Sequence, residues 1–343
     1  MPRTTIVAGA LATAAVGNTF MQLTYDQPKN YLLNGSMEIW QRGTTALPGG
    51  TGATVGYAAD RWQAFRIGYA AGLTCSRQTG PTGGRYAMRA QRDVSNASLV
   101  GIQAYQTLET AQAQHMAGTQ VTFSAWIRKG ADFAGTFTQR IIYGTGTDER
   151  ITTGFTGQTT LISTSKTLTT SWALYSVTGT LPAGASEVAV GFQYVPSTAV
   201  ALTNDYFEFA LCQLEIGATP SPFQMGGGNI EGELIACQRY YQRMGLVNGN
   251  ALAIGTGSGS TTTNFIVPLS TTMRIAPSSV AYSNIQMIDG AAGTLAITAL
   301  ALSNSSSDKV GLTATHATND TAHRPYFLSC SSAAGYIELI AEL

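Results

Sequence analysis

Side chains able to take part in chemistry are few and scattered in this 343-residue chain. The histidines are His115, His316 and His323, and none stands in a His-Glu-x-x-His or His-x-His arrangement, so neither a metal centre nor a histidine-based triad is expected. Ser163 and Lys166 form a Ser-x-x-Lys string, but they lie in a Thr/Ser-rich run without the companion motifs that give such a serine its role. Glycoside cleavage needs two carboxylates roughly 5–9.5 Å apart, one with a raised pKa. Asp148 and Glu149 are adjacent in a Gly/Thr-rich loop and read as solvated turn residues. Asp60 and Arg61 read as an ion pair holding a strand end, and Glu215 as a hydrogen-bonding group near a closing strand. No acidic loop has calcium-ligand spacing. A non-enzymatic protein without a cofactor is expected.

Sugar binding has a different signature: aromatic platforms beside a few amide or carboxylate partners. Tyr143 and Tyr194 are the candidate platforms, with Gln193 as the polar partner and Phe155 near them in sequence. Trp40, Trp62, Trp126 and Trp172 sit in or beside apolar strand patterning and read as core. Cys75, Cys212, Cys237 and Cys330 are too widely spaced for a zinc pattern; the first three have apolar neighbours and read as buried free thiols.

The elements that must carry these residues are strands. From about residue 30 to 225 apolar residues recur with period two, broken every eight to twelve residues by Gly, Pro, Asn or Asp, the mark of a sandwich or barrel. Val121, Phe123, Ala125 and Ile127 fall on one face of the clearest strand. One helix stands out, about residues 230–244, with Asn229 as N-cap and Glu231 and Glu233 in its first turn. Ile230, Leu234, Cys237, Tyr241 and Met244 are spaced 4-3-4-3 along it, a stripe that either packs on the neighbouring sandwich or lies on a threefold axis. After Gly245 comes a Gly/Ser-rich loop tip, then alternating runs at 263–269, 273–277, 293–297 and 335–343.

Charged residues make up only 11% of the chain, against roughly 25% in ordinary soluble domains. With 19 basic and 19 acidic residues the net charge is zero, which argues against nucleic acid as a partner. So sparsely charged a surface favours life inside an assembly. The weakly apolar run 6–16 is too short, and the residues after it too polar, to span a bilayer; residues 1–29 are expected to form an arm that docks on a partner subunit, with a local strand or a targeting signal as the alternatives.

Two strings bracket the β-rich middle. Asn34-Gly35-Ser36-Met37-Glu38-Ile39-Trp40-Gln41-Arg42-Gly43 is followed by Ala59-Asp60-Arg61-Trp62. Gln213-Leu214-Glu215-Ile216-Gly217 precedes Cys237-Gln238-Arg239-Tyr240-Tyr241, and the chain ends Ala341-Glu342-Leu343. In this order they resemble a module of bacteriophage virion proteins, especially tail fibres and other surface appendages. The resemblance implies an all-β chain: an arm (1–29), a jelly roll of the carbohydrate-binding-module type (30–225), a connecting helix (226–246) and a small C-terminal β-sandwich (247–343). It further implies a homotrimer in the virion, joined to other virion proteins through the arm, with host-surface polysaccharide as a ligand and no membrane insertion. A purely architectural capsid decoration or collar protein is the first alternative, and a polysaccharide depolymerase the second. Jelly rolls of this type often hold a structural calcium, which this sequence does not place.

Overall fold

The structure is a computed structural model, described for residues 30–45, 47–51, 56–66, 72–289 and 293–343. The expected arm, residues 1–29, lies outside the described residues. The first part of the chain forms β1 (Leu47–Pro48), β2 (Gly50–Thr51), β3 (Gln63–Arg66), β4 (Leu73–Thr79), β5 (Tyr86–Arg92), β6 (Ile102–Thr107), α1 (Thr110–Met116), β7 (Gln120–Lys129), β8 (Gly135–Gly144), β9 (Thr159–Ser165), β10 (Ala173–Thr180), β11 (Glu187–Pro196) and β12 (Tyr206–Ile216). The strands make two facing sheets, ordered β1-β4-β5-β12-β7-β10 and β2-β3-β6-β11-β8-β9. This is the expected all-β jelly roll.

Alternation along each strand decides what it buries. Val121, Phe123, Ala125 and Ile127 point inward from β7 and are fully buried. Between the sheets Phe192 is centred 4.9 Å from Phe209 and 5.3 Å from Phe123, with Trp62 5.2 Å from Phe209. Trp40 and Trp62 are core, as expected; Trp126 and Trp172 are only half-buried. Trp126 follows the inward Ala125 and so faces away from the core. All four cysteines are free and buried, and burial pushes the Cys75 thiol up to about 12.

The helix α2 (Ile230–Gln238) begins as expected, the Asn229 side chain accepting from Gly232 N at 2.8 Å. It stops well short of residue 244. Residues 241–245 are a strand, β13 (Tyr241–Gly245), paired antiparallel with the last strand of the chain, β21 (Tyr336–Ile340). A ladder formed with a segment some 95 residues away outweighs the local preference for continuing the helix. The expected five-residue stripe is therefore broken. Cys237 is buried on the helix, Tyr241 and Met244 lie on β13, and Ile230 and Leu234 stay 44% and 36% exposed.

The remaining strands are β14 (Ala251–Gly257), β15 (Thr262–Pro268), β16 (Ser279–Ser283), β17 (Ile285–Asp289), β18 (Gly293–Ser303), β19 (Lys309–His316) and β20 (Pro325–Cys330). The sheet of the small C-terminal unit closes into a barrel, β14-β15-β19-β18-β17-β20, beside a three-stranded sheet β13-β21-β16. Phe265, Met287, Leu312, Leu328 and Leu339 fill its core. Residues 273–277, expected to alternate as a strand, take no strand conformation, and Met273 plugs the core instead. The Gly/Ser-rich tip is held by the Asp320 carboxylate, which accepts from the backbone N–H groups of Ser258, Gly259 and Ser260. Among the described residues no helix is long and apolar enough to cross a membrane.

Candidate functional site

The residues of the bracketing strings, far apart in sequence, meet where the jelly roll joins the C-terminal unit. Asn34, held at φ +53°, is the hub of the first string. Its side-chain amide donates to Ile39 O (2.8 Å) and Asp60 O (3.1 Å), its Oδ1 accepts from Ile39 N, and its backbone N–H donates to the Glu233 carboxylate on α2. Burial raises the Glu233 pKa, against which the N–H groups of Gly227 and Asn34 work.

Charge is concentrated one step further. Glu342 accepts from Arg42 Nη2 (3.0 Å) through one carboxylate oxygen and from Arg61 Nη1 (2.5 Å) through the other. The Arg42 guanidinium stacks 3.5 Å from the Tyr241 ring centre, and that of Arg61 lies 3.6 Å from Tyr240. Arg61 also donates to Thr107 O. Asp60 does not pair with its neighbour Arg61 as expected. It faces Arg42 at 3.9 Å and accepts from Gln41, whose Nε2 also donates to Tyr241 O. Burial raises the Asp60 pKa, opposed by Arg42 and Gln41. Arg239–Glu109, Arg274–Asp148 and Arg243–Glu338 extend the same seam. A cleft of about 770 Å³ opens beside it, lined by Arg42, Tyr57, Arg150, Tyr336 and Glu338. The charged members hold one another across the joint, so the strings build an architectural joint.

The outer face of the second sheet is arranged differently. Gln193 on β11 lies opposite Gln103 on β6 and Thr138 on β8. One row along, Gly191 lies opposite both Tyr105 and Arg140. A Cβ on Gly191 would stand 2.6 Å from the Tyr105 ring, so glycine lets Tyr105 lie flat against the sheet. Arg140 Nη1 then donates to the Tyr105 hydroxyl (3.1 Å) and to Gln193 Oε1 (3.4 Å), and Nη2 donates to Thr160 Oγ1. Burial raises the Tyr105 phenol to about 12, partly offset by Arg140. Tyr105 is fully buried, so it braces from beneath the half-buried Arg140 guanidinium and Gln193 amide, two polar groups at fixed spacing suited to bridging hydroxyl groups of a sugar.

Of the expected platform residues only Gln193 lies on this face. Tyr194, its neighbour along β11, points inward by alternation. Its ring is fully buried, stacked 3.9 Å from Phe133, and its hydroxyl donates to Asp205 and accepts from Ala134 N. It is therefore no surface platform in this fold. Tyr143 is half-buried against the inner core at the end of β8. Phe155 packs with Phe65, Tyr105 and Ile151 and covers part of the outer face. Arg140, Tyr105 and Gln103 were not singled out by the sequence; counting in twos from Gln193 across a known strand order would find them, but that order is not local information. Glu215 is placed as expected, its carboxylate accepting from Ser221 N and Oγ and from Gln213. Among the described residues no group of three His, Cys, Asp or Glu is placed to hold a metal ion.

No family model and no curated protein sequence matches the chain. Solved structures with a similar fold include the enzymatically active domain of tailspike protein 4 of bacteriophage CBA120, at 10% identity and a TM-score of 0.35 over 56% of this chain. The match spans 22% of that tailspike chain. The C-terminal family 22 carbohydrate-binding module of Clostridium thermocellum Xyn10B is similar at 14% identity and TM-score 0.34, covering 57% of this chain and 99% of the module. The CBM22-1 xylan-binding domain of Paenibacillus barcinonensis Xyn10C is similar at 12% identity and TM-score 0.33, covering 52% and 95%.

Proposed function

We propose that this chain is a non-enzymatic structural protein of a bacteriophage virion, a tail fibre or surface appendage, whose jelly roll holds host-surface glycan on the outer face of its second sheet. The virion role is supported by the order of the bracketing strings. The ligand role is carried by one observation: the half-buried Arg140 and Gln193 are held together on an outer sheet face, with Arg140 braced by the buried Tyr105 hydroxyl. Arg140→Ala and Gln193→Ala are each expected to weaken binding to an array of bacterial surface oligosaccharides at least tenfold, about 1.4 kcal/mol. Calorimetry on the array hits measures this. Binding that survives both substitutions moves the ligand elsewhere, and an empty array sinks the ligand role. A second reading, a capsid decoration or collar protein with no ligand, is favoured by the use of the string residues in the joint. Immunogold labelling of particles separates the two: tail or fibre label supports the first, head or neck label the second.

The same reading includes a homotrimer. With the stripe broken, the helix still exposes Ile230, Leu234 and Ile235. A second uncovered row runs across the barrel, where Ile254 pairs with both Ile266 and Phe327, all three exposed. Leu234→Glu is expected to turn a trimer into monomer in light scattering while leaving the melting transition of the monomer intact. Dissociation by Ile266→Lys but not by Leu234→Glu would place the contact on the barrel.

A further inference from the structure

The outer face of the first sheet carries a group of side chains that the joint and the second-sheet row do not use. Glu208 on β12 lies opposite Arg89 on β5 and Arg128 on β7, so one buried carboxylate stands between two guanidinium groups. Arg89 Nε and Nη2 both donate to Glu208 Oε1, and Arg128 Nε donates to Oε2. Both oxygens are taken, yet the row keeps one positive charge in excess. Arg128 uses only its Nε on Glu208, so its two terminal nitrogens remain as donors on a side chain 30% exposed.

Aromatic rings frame this charge. The register continues from Ala173 opposite Ile127 to place Trp172 beside Arg128, and the guanidinium lies 4.8 Å from that ring. Tyr206 lies two residues along β12 from Glu208, with Arg89 3.7 Å over its ring. Trp126 lies two residues along β7 from Arg128 in the opposite direction, because the strands are antiparallel. At about 3.4 Å per residue, Tyr206 and Trp126 stand about 14 Å apart along the strands with the charged row midway. All three rings are half-buried. Fixed rings offer faces for the C–H surface of a sugar, and free guanidinium donors favour a carboxylate.

We propose that this face is a second carbohydrate site, separate from the one on the opposite sheet, and that it takes an acidic oligosaccharide whose sugar carboxylate is received by Arg128 beside Trp126 and Trp172. A neutral sugar would leave the excess charge unanswered, whereas a uronate balances it.

The test is calorimetric titration of the full chain with short oligomers of galacturonate, glucuronate and mannuronate, and with their carboxyl-reduced forms. At least one acidic oligomer is expected to bind, its reduced form at least tenfold more weakly. Arg128→Gln and Trp126→Ala should each lower affinity for the acidic form at least tenfold, while Arg140→Ala on the other sheet leaves it unchanged. Arg128→Lys should restore part of the loss, and added salt should weaken binding. If Trp126→Ala fails to fold, Arg128→Gln alone decides. Absence of binding by all three acidic oligomers overturns the proposal. So does acidic binding that persists in Arg128→Gln, or that disappears in Arg140→Ala instead, which would assign the acid to the second sheet.

Discussion

Replacing Glu342 by Gln is expected to destabilise the protein by about 3–5 kcal/mol, the cost of leaving the buried Arg61 guanidinium without its counter-charge, while Arg42 keeps Asp60 at 3.9 Å. Glu342 lies two residues past the end of β21. Here its carboxylate is buried between Arg42 and Arg61, whose side chains are themselves 14% and 3% exposed. Each arginine rests on a tyrosine ring at the start of β13, Arg42 on Tyr241 and Arg61 on the preceding Tyr240, so neither can swing out to water without uncovering that ring. Urea unfolding of Glu342→Gln should show a lower midpoint, and a separate early transition of the C-terminal barrel if the joint fails first. Glu231→Gln, on the exposed first turn of α2, is the control and should change stability by no more than about 0.5 kcal/mol. An unchanged midpoint for Glu342→Gln would show that the joint rests on apolar packing and not on the ion network. Pairing Glu342→Gln with Arg61→Gln should cost less than the sum of the two, because the second change removes the charge stranded by the first.

Gly35→Ala is expected to be comparably damaging, about 3 kcal/mol, although it adds a single methyl group. A Cβ at Gly35 would stand 2.1 Å from the carbonyl oxygen of Cys212, far inside contact distance, and backbone cannot give way as a flexible side chain would. At this point Gly35 O accepts from Cys212 N at 2.9 Å, where β12 is irregular between Ala210 and Gln213 and Leu211 takes φ +50°. The irregularity lets the Asn34–Gly35 turn dock, and the turn in turn satisfies the bulged backbone. Pushing the two apart costs that hydrogen bond and shifts Asn34, which anchors Ile39, Asp60 and α2. Thermal unfolding of Gly35→Ala should shift down markedly, with Gly184→Ala unchanged, since a Cβ at Gly184 meets nothing within 4 Å. Equal melting of the two variants would refute the docking argument.

Much of the architecture was legible in the order of residues. The inward face of β7, the Asn229 cap with its acidic first turn and the all-β class depend on alternation and capping, which act over a few residues. Alternation alone also separates Gln193 from Tyr194, since neighbours along a strand face opposite ways. Grouping them as one platform overlooked that rule.

What the sequence by itself determined is which residues turn toward a core and where short elements begin, because side-chain parity and end-capping are local. Only the tertiary structure decided that residues 241–245 leave the helix for a strand, because the partner ladder comes from the far end of the chain. Only it brought Arg42, Asp60, Arg61, Tyr240, Tyr241 and Glu342 to one buried joint, and set Arg140 beside Gln193 and Arg128 beside Glu208. Each of these depends on which strands lie side by side, a non-local choice made by the folding of the whole sandwich, and no spacing along the chain encodes it.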